Sequence, residues 1–357
     1  MFVVPYELFI NIEQVMLDKL QNNKPAAFLS TLKTLKTEGF LLNNSVELSE
    51  KQRTNYEKID FTDIEFFEEN ILANLEEYLF EGVGKIDFTK CEMSYKQVAF
   101  LNGVIRKTTP KTIVEIGLSA GGSSCVILNA IRDIENAKLY SFDYNTIWYR
   151  EEGKNNARKT GFLVEQIVPE LIGKWELHTG GVPCKYFNKY LPNEGVDVCF
   201  IDTAHRNPGE HLNILEILPF MKKNGIIILH DTAFHISSPI YTTNINLINS
   251  LKGKRIFLKT EKTMGLPNIS AVVLDENIDD MLYCLFSNLS LPWDYKITKD
   301  DFVEMFKHFS KYYSKDLLQF YIYYCCFYMS NGFRNQKTAV KIAEEMTTRL
   351  FKNECEK

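Results

Sequence analysis

The chain has 357 residues, of which 45% are hydrophobic and 24% charged, enough to bury a large core in one main domain with additions. A net charge of −5 argues against a general electrostatic grip on nucleic acid. The eight cysteines form no C-x-x-C and several fall inside apolar runs, so buried, reduced thiols and a cytoplasmic location are expected.

The segment MFVVPYELFINIEQ lacks the basic region and long apolar core of a signal peptide, and no apolar run reaches the roughly 18 residues of a membrane span. Residues 8–38 and 62–80 carry apolar side chains at helical spacing, which predicts an N-terminal helical region over 1–90. The stretch MSYKQVAFLNGVIRK at 93–107 has the same spacing through Val98, Leu101, Val104 and Ile105.

The strand-like run KTIV is followed by VEIGLSAGGSS at 114–124 and then by the helix-like CVILNAI. Glu115 closes the strand, Gly117 permits a sharp turn, and Gly121 and Gly122 let backbone approach a ligand over the helix N-terminus. A dinucleotide fingerprint would need glycine where Ser119 stands, which weakens a dehydrogenase reading. The pattern E-x-G-x-x-x-G resembles motif I of class I S-adenosylmethionine (SAM) methyltransferases. That resemblance implies a cofactor site of Glu115, Gly117, Ser119, Ala120, Gly121 and Ser123. It also implies that the Met93-Ser94 start of the preceding helix touches the cofactor.

AKLYSFD at 137–143 predicts a second strand ending in Asp143, whose two carboxylate oxygens suit the ribose hydroxyls of a nucleoside. KWELHT at 174–179 predicts a third, with Gly180 and Gly181 beside the adenine in the resembling fold. VDVCFID at 196–202 predicts a fourth, ending in Asp202. A helix is expected around 209–221, then a turn at Lys223, Asn224 and Gly225, then the strand GIIILHD ending in His230 and Asp231. Adjacent parallel strands deliver their last residues to one crevice, which brings Asp202, His205, His230 and Asp231 together. His211 and Asn213 are expected at the surface, and His235 in a solvated loop.

This order resembles the metal-assisted O-methyltransferases, and the D-x-x-H spacing is most similar to their sugar-modifying members. The resemblance makes Asp202 and Asp231 candidate ligands of a divalent cation, magnesium or manganese, and Asp202 also a cofactor contact; His230, the third candidate ligand, departs from the family, which commonly has an oxygen ligand there. Imidazole at position 230 suits manganese better than magnesium. His205 becomes the candidate general base for a hydroxyl attacking the sulfonium methyl.

KRIFLKTE at 254–261 and ISAVVLDE at 269–276 predict two more strands joined by a hairpin-like KTMGLPN, with one antiparallel member. The expected fold is α/β: a seven-stranded, mostly parallel, doubly wound sheet over 91–276 with helical N- and C-terminal additions. In the C-terminal region, 277–357, helices are expected near 277–289, 299–312, 314–330 and 336–353, with Asn331-Gly332 as a stop. The aromatic run LLQFYIYYCCFYM reads as a buried helix or a homo-oligomer face, with a glycan groove or a membrane-surface contact as the alternatives. The expected acceptor is a hydroxyl of a sugar in a glycan or natural product. The alternatives are a phenolic acceptor and a non-catalytic assembly or glycan-binding protein.

Overall fold

The computed structural model describes residues 93–329 apart from 239, 258–266 and 276–278, together with 337, 340–345 and 348. The helices expected within 1–90, the 258–266 connection, the Asn331-Gly332 stop and most of the last helix lie outside the described residues.

Ser94 opens α1 (Tyr95–Thr108) with a reciprocal capping box: its hydroxyl accepts from the Gln97 amide, and the Gln97 side chain accepts from the Ser94 amide. There follow β1 (Thr112–Ile116), α2 (Gly122–Ala130), β2 (Lys138–Asp143), α3 (Phe162–Ile167) and β3 (Trp175–Thr179). Next come α4 (Cys184–Tyr190), β4 (Val196–Ile201), α5 (Gly209–Ile217), β5 (Met221–His230) and α6 (Thr243–Ser250). The order ends with β6 (Gly253–Phe257), β7 (Ile269–Leu274), α7 (Asp279–Ser287), α8 (Lys299–Tyr312) and α9 (Lys315–Met329).

The seven strands form one sheet in the order β3-β2-β1-β4-β5-β7-β6, parallel throughout β1 to β5. Strand β7 runs antiparallel to both neighbours. The sheet is the expected one, and the chain order reverses between β1 and β4, where such sheets open a crevice at their carboxyl ends.

Alternation along each strand sorts the core into two layers. Val114, Cys199, Ile227 and Val272 face α4 to α9, and Ile113, Val198, Ile228 and Ala271 face α1 to α3. The C-terminal helices share the first layer, since Met281, Phe286, Met305, Phe309 and Tyr321 belong to that same buried cluster. Helix α9 buries Leu318, Tyr321, Ile322 and Cys325 there, which is the buried-helix reading of its aromatic run.

Two expectations need correction. Lys223, Asn224 and Gly225 make no separating turn: they lie inside β5, where the register against β4 shifts between Val196 and Val198 and Asn224 takes φ 57°. His211 is not on the surface. It is fully buried because α5 is covered on both sides, by the sheet and by the C-terminal helices. Asn213 is half-buried, and so is His235, whose Nδ1 is buried without a hydrogen-bond partner. Among the described residues, six cysteines are free and no helix is long and apolar enough to cross a membrane.

Candidate active site

The glycine turn is set by what lies behind it. Gly117 has φ 82°, and a Cβ there would sit 2.0 Å from the carbonyl oxygen of Asp202. The Asp202 amide in turn donates to the Ile116 carbonyl at 2.9 Å. Gly121 (φ 97°) backs onto Gly161, whose backbone would stand 3.1 Å from an added Cβ. That glycine answers to chain packing, not to a ligand.

Glu115 does not reach the crevice. It is fully buried, and its carboxyl accepts from the hydroxyls of Ser123 (2.5 Å), Ser124 (2.5 Å) and Ser141 (2.6 Å). Burial pushes its pKa up to about 7 against the pull of those three donors. Glu115 therefore ties β1 and β2 to the first turn of α2, which holds the glycine turn in shape. Direct cofactor contact, expected from the sequence, is not the arrangement seen.

Asp143, at the end of β2, accepts from the amides of Leu118 and Ser119 at 3.1 Å each through Oδ2, and from Asn145 at 2.8 Å through Oδ1. Burial raises its pKa, and the three backbone donors lower it. A carboxylate has about four lone-pair sites, so Asp143 can clamp the turn and still accept from a ligand hydroxyl. The Ser119 hydroxyl accepts from the Trp148 indole at 3.0 Å.

At the ends of β4 and β5 lies a cluster of carboxylates and imidazoles. His205 Nε2 stands 3.2 Å from Asp231 and 3.5 Å from Asp202, and its Nδ1 stands 3.2 Å from Glu210. His230 Nδ1 lies 3.3 Å from Asp202 and 3.5 Å from Asp231, while its Nε2 faces Gln97 of α1 at 3.3 Å. His205 and Asp231 both hold positive φ, 56° and 53°, a strained conformation for residues with a Cβ. Side chains hold them there. Glu210 accepts from the His205 amide, Asn268 donates to Asp231 Oδ1 at 2.7 Å, and Asn244 donates to the His230 carbonyl at 2.7 Å.

Burial works against a charge on His205, but Glu210, Asp202 and Asp231 outweigh it and raise its pKa to about 9. The same contest, won by Asp202 and Asp231, raises His230 well above the ordinary imidazole value. Burial would raise Asp231, yet His230, His205 and Asn268 hold it down at about 2. One ligand atom each from Asp202, His205 and Asp231 falls within a 4.8 Å span. His230, 1% exposed, stands behind the two acids and does not line the cavity, which places it differently from the ligand role expected for it.

A cavity of about 1150 Å³ joins both halves. Of the residues singled out in the sequence, Gly117, Ser119, Ser123, Asp143, Asp202, His205 and Asp231 line it, and so does Met93. Glu115, Ala120, Gly121 and Gly180 do not; the Gly180 amide donates to the Asp143 carbonyl at 3.2 Å. Phe234 and Tyr241, in the segment TAFHISSPIYTTNINLINSLKG that the sequence marks as shaping the acceptor pocket, also line the cavity, and so do Tyr149, Arg150 and Tyr295, which sequence reasoning missed. Phe234 and Tyr241 stack with centroids 4.3 Å apart, a contact that no spacing rule foretells.

Residues 114–232, about a third of the chain, match a family model described as a methyltransferase domain. Among solved structures, the chain is similar to the O-methyltransferase TomG of Streptomyces achromogenes, involved in tomaymycin synthesis and solved with SAM. There the identity is 13% and the TM-score 0.41, over 64% of this chain and 100% of that one. It is also similar to an O-methyltransferase of Bacillus cereus in complex with SAH (17%, TM-score 0.38, 51% of this chain and 82% of that one). A third is the SAH-bound methyltransferase PaMTH1 of Podospora anserina (14%, TM-score 0.37, 66% of this chain and 100% of that one). No curated protein matches the chain. The strand order, and not these scores, defines the architecture: a class I SAM-dependent methyltransferase fold.

Proposed function

We propose that the protein is a SAM-dependent O-methyltransferase that methylates a hydroxyl of a small acceptor, a sugar of a glycan or natural product. The observation that carries this reading is the single cavity that joins the glycine turn and Asp143 to the Asp202–His205–Asp231 cluster. The first half suits a nucleoside donor, and the second suits an acceptor whose proton must be taken.

Methyl transfer from a sulfonium is an in-line displacement with a good leaving group, so alignment and proton removal are what remain for the protein. His205 is the proposed base. It faces the cavity between two carboxylates, and Glu210 fixes its ring from behind; because these acids raise its pKa to about 9, the neutral form that takes the proton is a minority at pH 7 and turnover should rise with pH toward 9. His230 is buried beneath the two acids and bridges them to Gln97, which suits it to fix their orientation.

The donor set also fits a divalent cation. One ligand atom each from Asp202, His205 and Asp231 lies within 4.8 Å of the others, an oxygen and nitrogen set of the chemistry that divalent cations take. Asp202 and Asp231 would hold it, and when bound it would supply polarisation of the acceptor hydroxyl. The Phe234–Tyr241 pair offers an apolar face on which the C–H face of a sugar ring can rest.

Calorimetry with S-adenosylhomocysteine and with NAD tests the donor. Transfer of labelled methyl from SAM to panels of sugars and phenols tests the acceptor. Binding of NAD alone would sink the methyltransferase reading, and transfer to phenols alone would replace the sugar by a phenolic acceptor.

A further inference from the structure

One polar atom on the cavity wall has no partner. Glu216, near the end of α5, is fully buried and lines the cavity, and its Oε1 makes no hydrogen bond. The carboxyl otherwise accepts from the Cys184 thiol and, through Oε2, makes a long contact with the Asn213 amide at 3.4 Å; Asn213 is oriented by the Thr203 hydroxyl, which donates to its carbonyl at 3.1 Å. A buried polar atom left unsatisfied costs stability, so a ligand that would satisfy it is the first explanation to seek.

The surroundings say which ligand. Phe142, which precedes Asp143, packs on Phe187, Phe187 on His308, and His308 meets the Glu216 carbonyl at 2.8 Å, so Glu216 stands on the Asp143 side of a cavity whose apolar lining includes Val182, Leu212, Ile297 and Met305. A nucleoside whose ribose sits at Asp143 would carry its base into this part. The other carboxyl on this wall, Asp301, is already engaged: its Oδ2 accepts from Thr298 (2.6 Å) and from Tyr144 (3.1 Å).

We propose that Glu216 is the residue that reads the purine of the donor, its carboxyl facing ring nitrogen N1 and the exocyclic amine. The inference rests on the SAM reading above. A protonated carboxyl matches that edge, since its O–H donates to N1 and its carbonyl accepts from the amine. Burial, with the Cys184 thiol and the Asn213 amide as weak opponents, pushes the Glu216 pKa up to about 8, so the group is protonated at neutral pH. Helix α8, in the C-terminal region, then has a defined role: it supplies Met305 and closes the base pocket.

The test is calorimetry of the full chain with S-adenosylhomocysteine and with its 1-deaza analogue, which replaces N1 by C–H. Wild type should bind the analogue about tenfold more weakly, the loss expected for one hydrogen bond. Glu216→Leu should bind the natural ligand about tenfold more weakly and no longer distinguish the two, with thermal stability kept. Glu216→Gln, which retains a donor and an acceptor, should keep the discrimination. Equal binding of both ligands by wild type would overturn the proposal without any variant, and so would a folded Leu variant that discriminates as wild type does. Failure of wild type to bind either ligand would instead overturn the donor reading itself.

Discussion

The α-carbon of Gly117 lies against the backbone of Asp202, so close that a methyl group on it would stand 2.0 Å from the Asp202 carbonyl oxygen. The donor turn and the acceptor-side acid are therefore one mechanical unit. Gly117→Ala should destabilise the protein by about 3 kcal/mol, since it combines a positive φ with a backbone clash. It should also weaken any cation or acceptor binding at Asp202. Thermal unfolding and calorimetry check both, and an unchanged melting temperature would sink the coupling.

Asp143 has two tasks, and one substitution should reveal both. Asp143→Ala removes acceptors for three backbone amides and the proposed ribose contact. S-adenosylhomocysteine binding should weaken by about 1.5–3 kcal/mol, the range for charged hydrogen bonds, and the melting temperature should fall as well. Full affinity in a folded variant would remove Asp143 from the site.

How much of this was legible in the sequence follows a physical line. Runs such as VDVCFID and GIIILHD, apolar because parallel strands are covered on both faces, announce strands and their ends, and so Asp143, Asp202, His205 and Asp231 could be named from sequence. Which way a side chain faces at those ends is set by packing several elements away. Glu115 turns inward because Ser141, on the neighbouring strand, and Ser123 and Ser124 await it. His230 turns to Gln97, 133 residues earlier, and His211 is buried by helices that follow it by some 70 residues or more. Spacing along one strand carries none of that. Tyr149 and Phe234 each begin a single 3₁₀ turn and Tyr241 lies in a connecting loop, segments too short for any periodicity to record.

His205→Ala should lower kcat by about 10²–10⁴, the usual loss for a general base. The dissociation constant for S-adenosylhomocysteine should stay near that of wild type, because the side chain stands on the acceptor side. A variant that kept most of its kcat on the true acceptor would end the assignment.

Chelation offers an independent check of the cluster. Treatment with EDTA should lower turnover, and added divalent metal should restore it. If His205 joins the two acids as a ligand instead of acting as the base, manganese should equal or exceed magnesium. Full activity in EDTA with no metal in the purified protein would leave the two acids an acid–base or structural role.

His211 makes stability depend on acidity. Burial with no partner on either ring nitrogen lowers its pKa to about 3, against about 6.5 in the unfolded chain. The unfolded state binds the extra proton between those values, so the contribution is complete above pH 6.5 and is lost as pH falls toward 3. The loss across that window should be about 5 kcal/mol. His308, lowered to about 4 mainly by burial, acts in the same direction. Urea unfolding at pH 7 and pH 4.5 should show the drop, and His211→Leu should shrink it. An unaltered drop in that variant would exclude His211 as its source.

The Tyr313 hydroxyl donates to the Leu215 carbonyl at 2.6 Å, and His308 Nε2 meets the Glu216 carbonyl at 2.8 Å, so the C-terminal region caps and buries the C-terminal end of α5. The architecture is consequently not modular at residue 276. A chain cut there would bare the apolar outer faces of α4, α5 and α6 and leave carbonyls at the end of α5 without donors. Exchanging the tail to reprogram the acceptor would remove part of the donor chamber in the same cut.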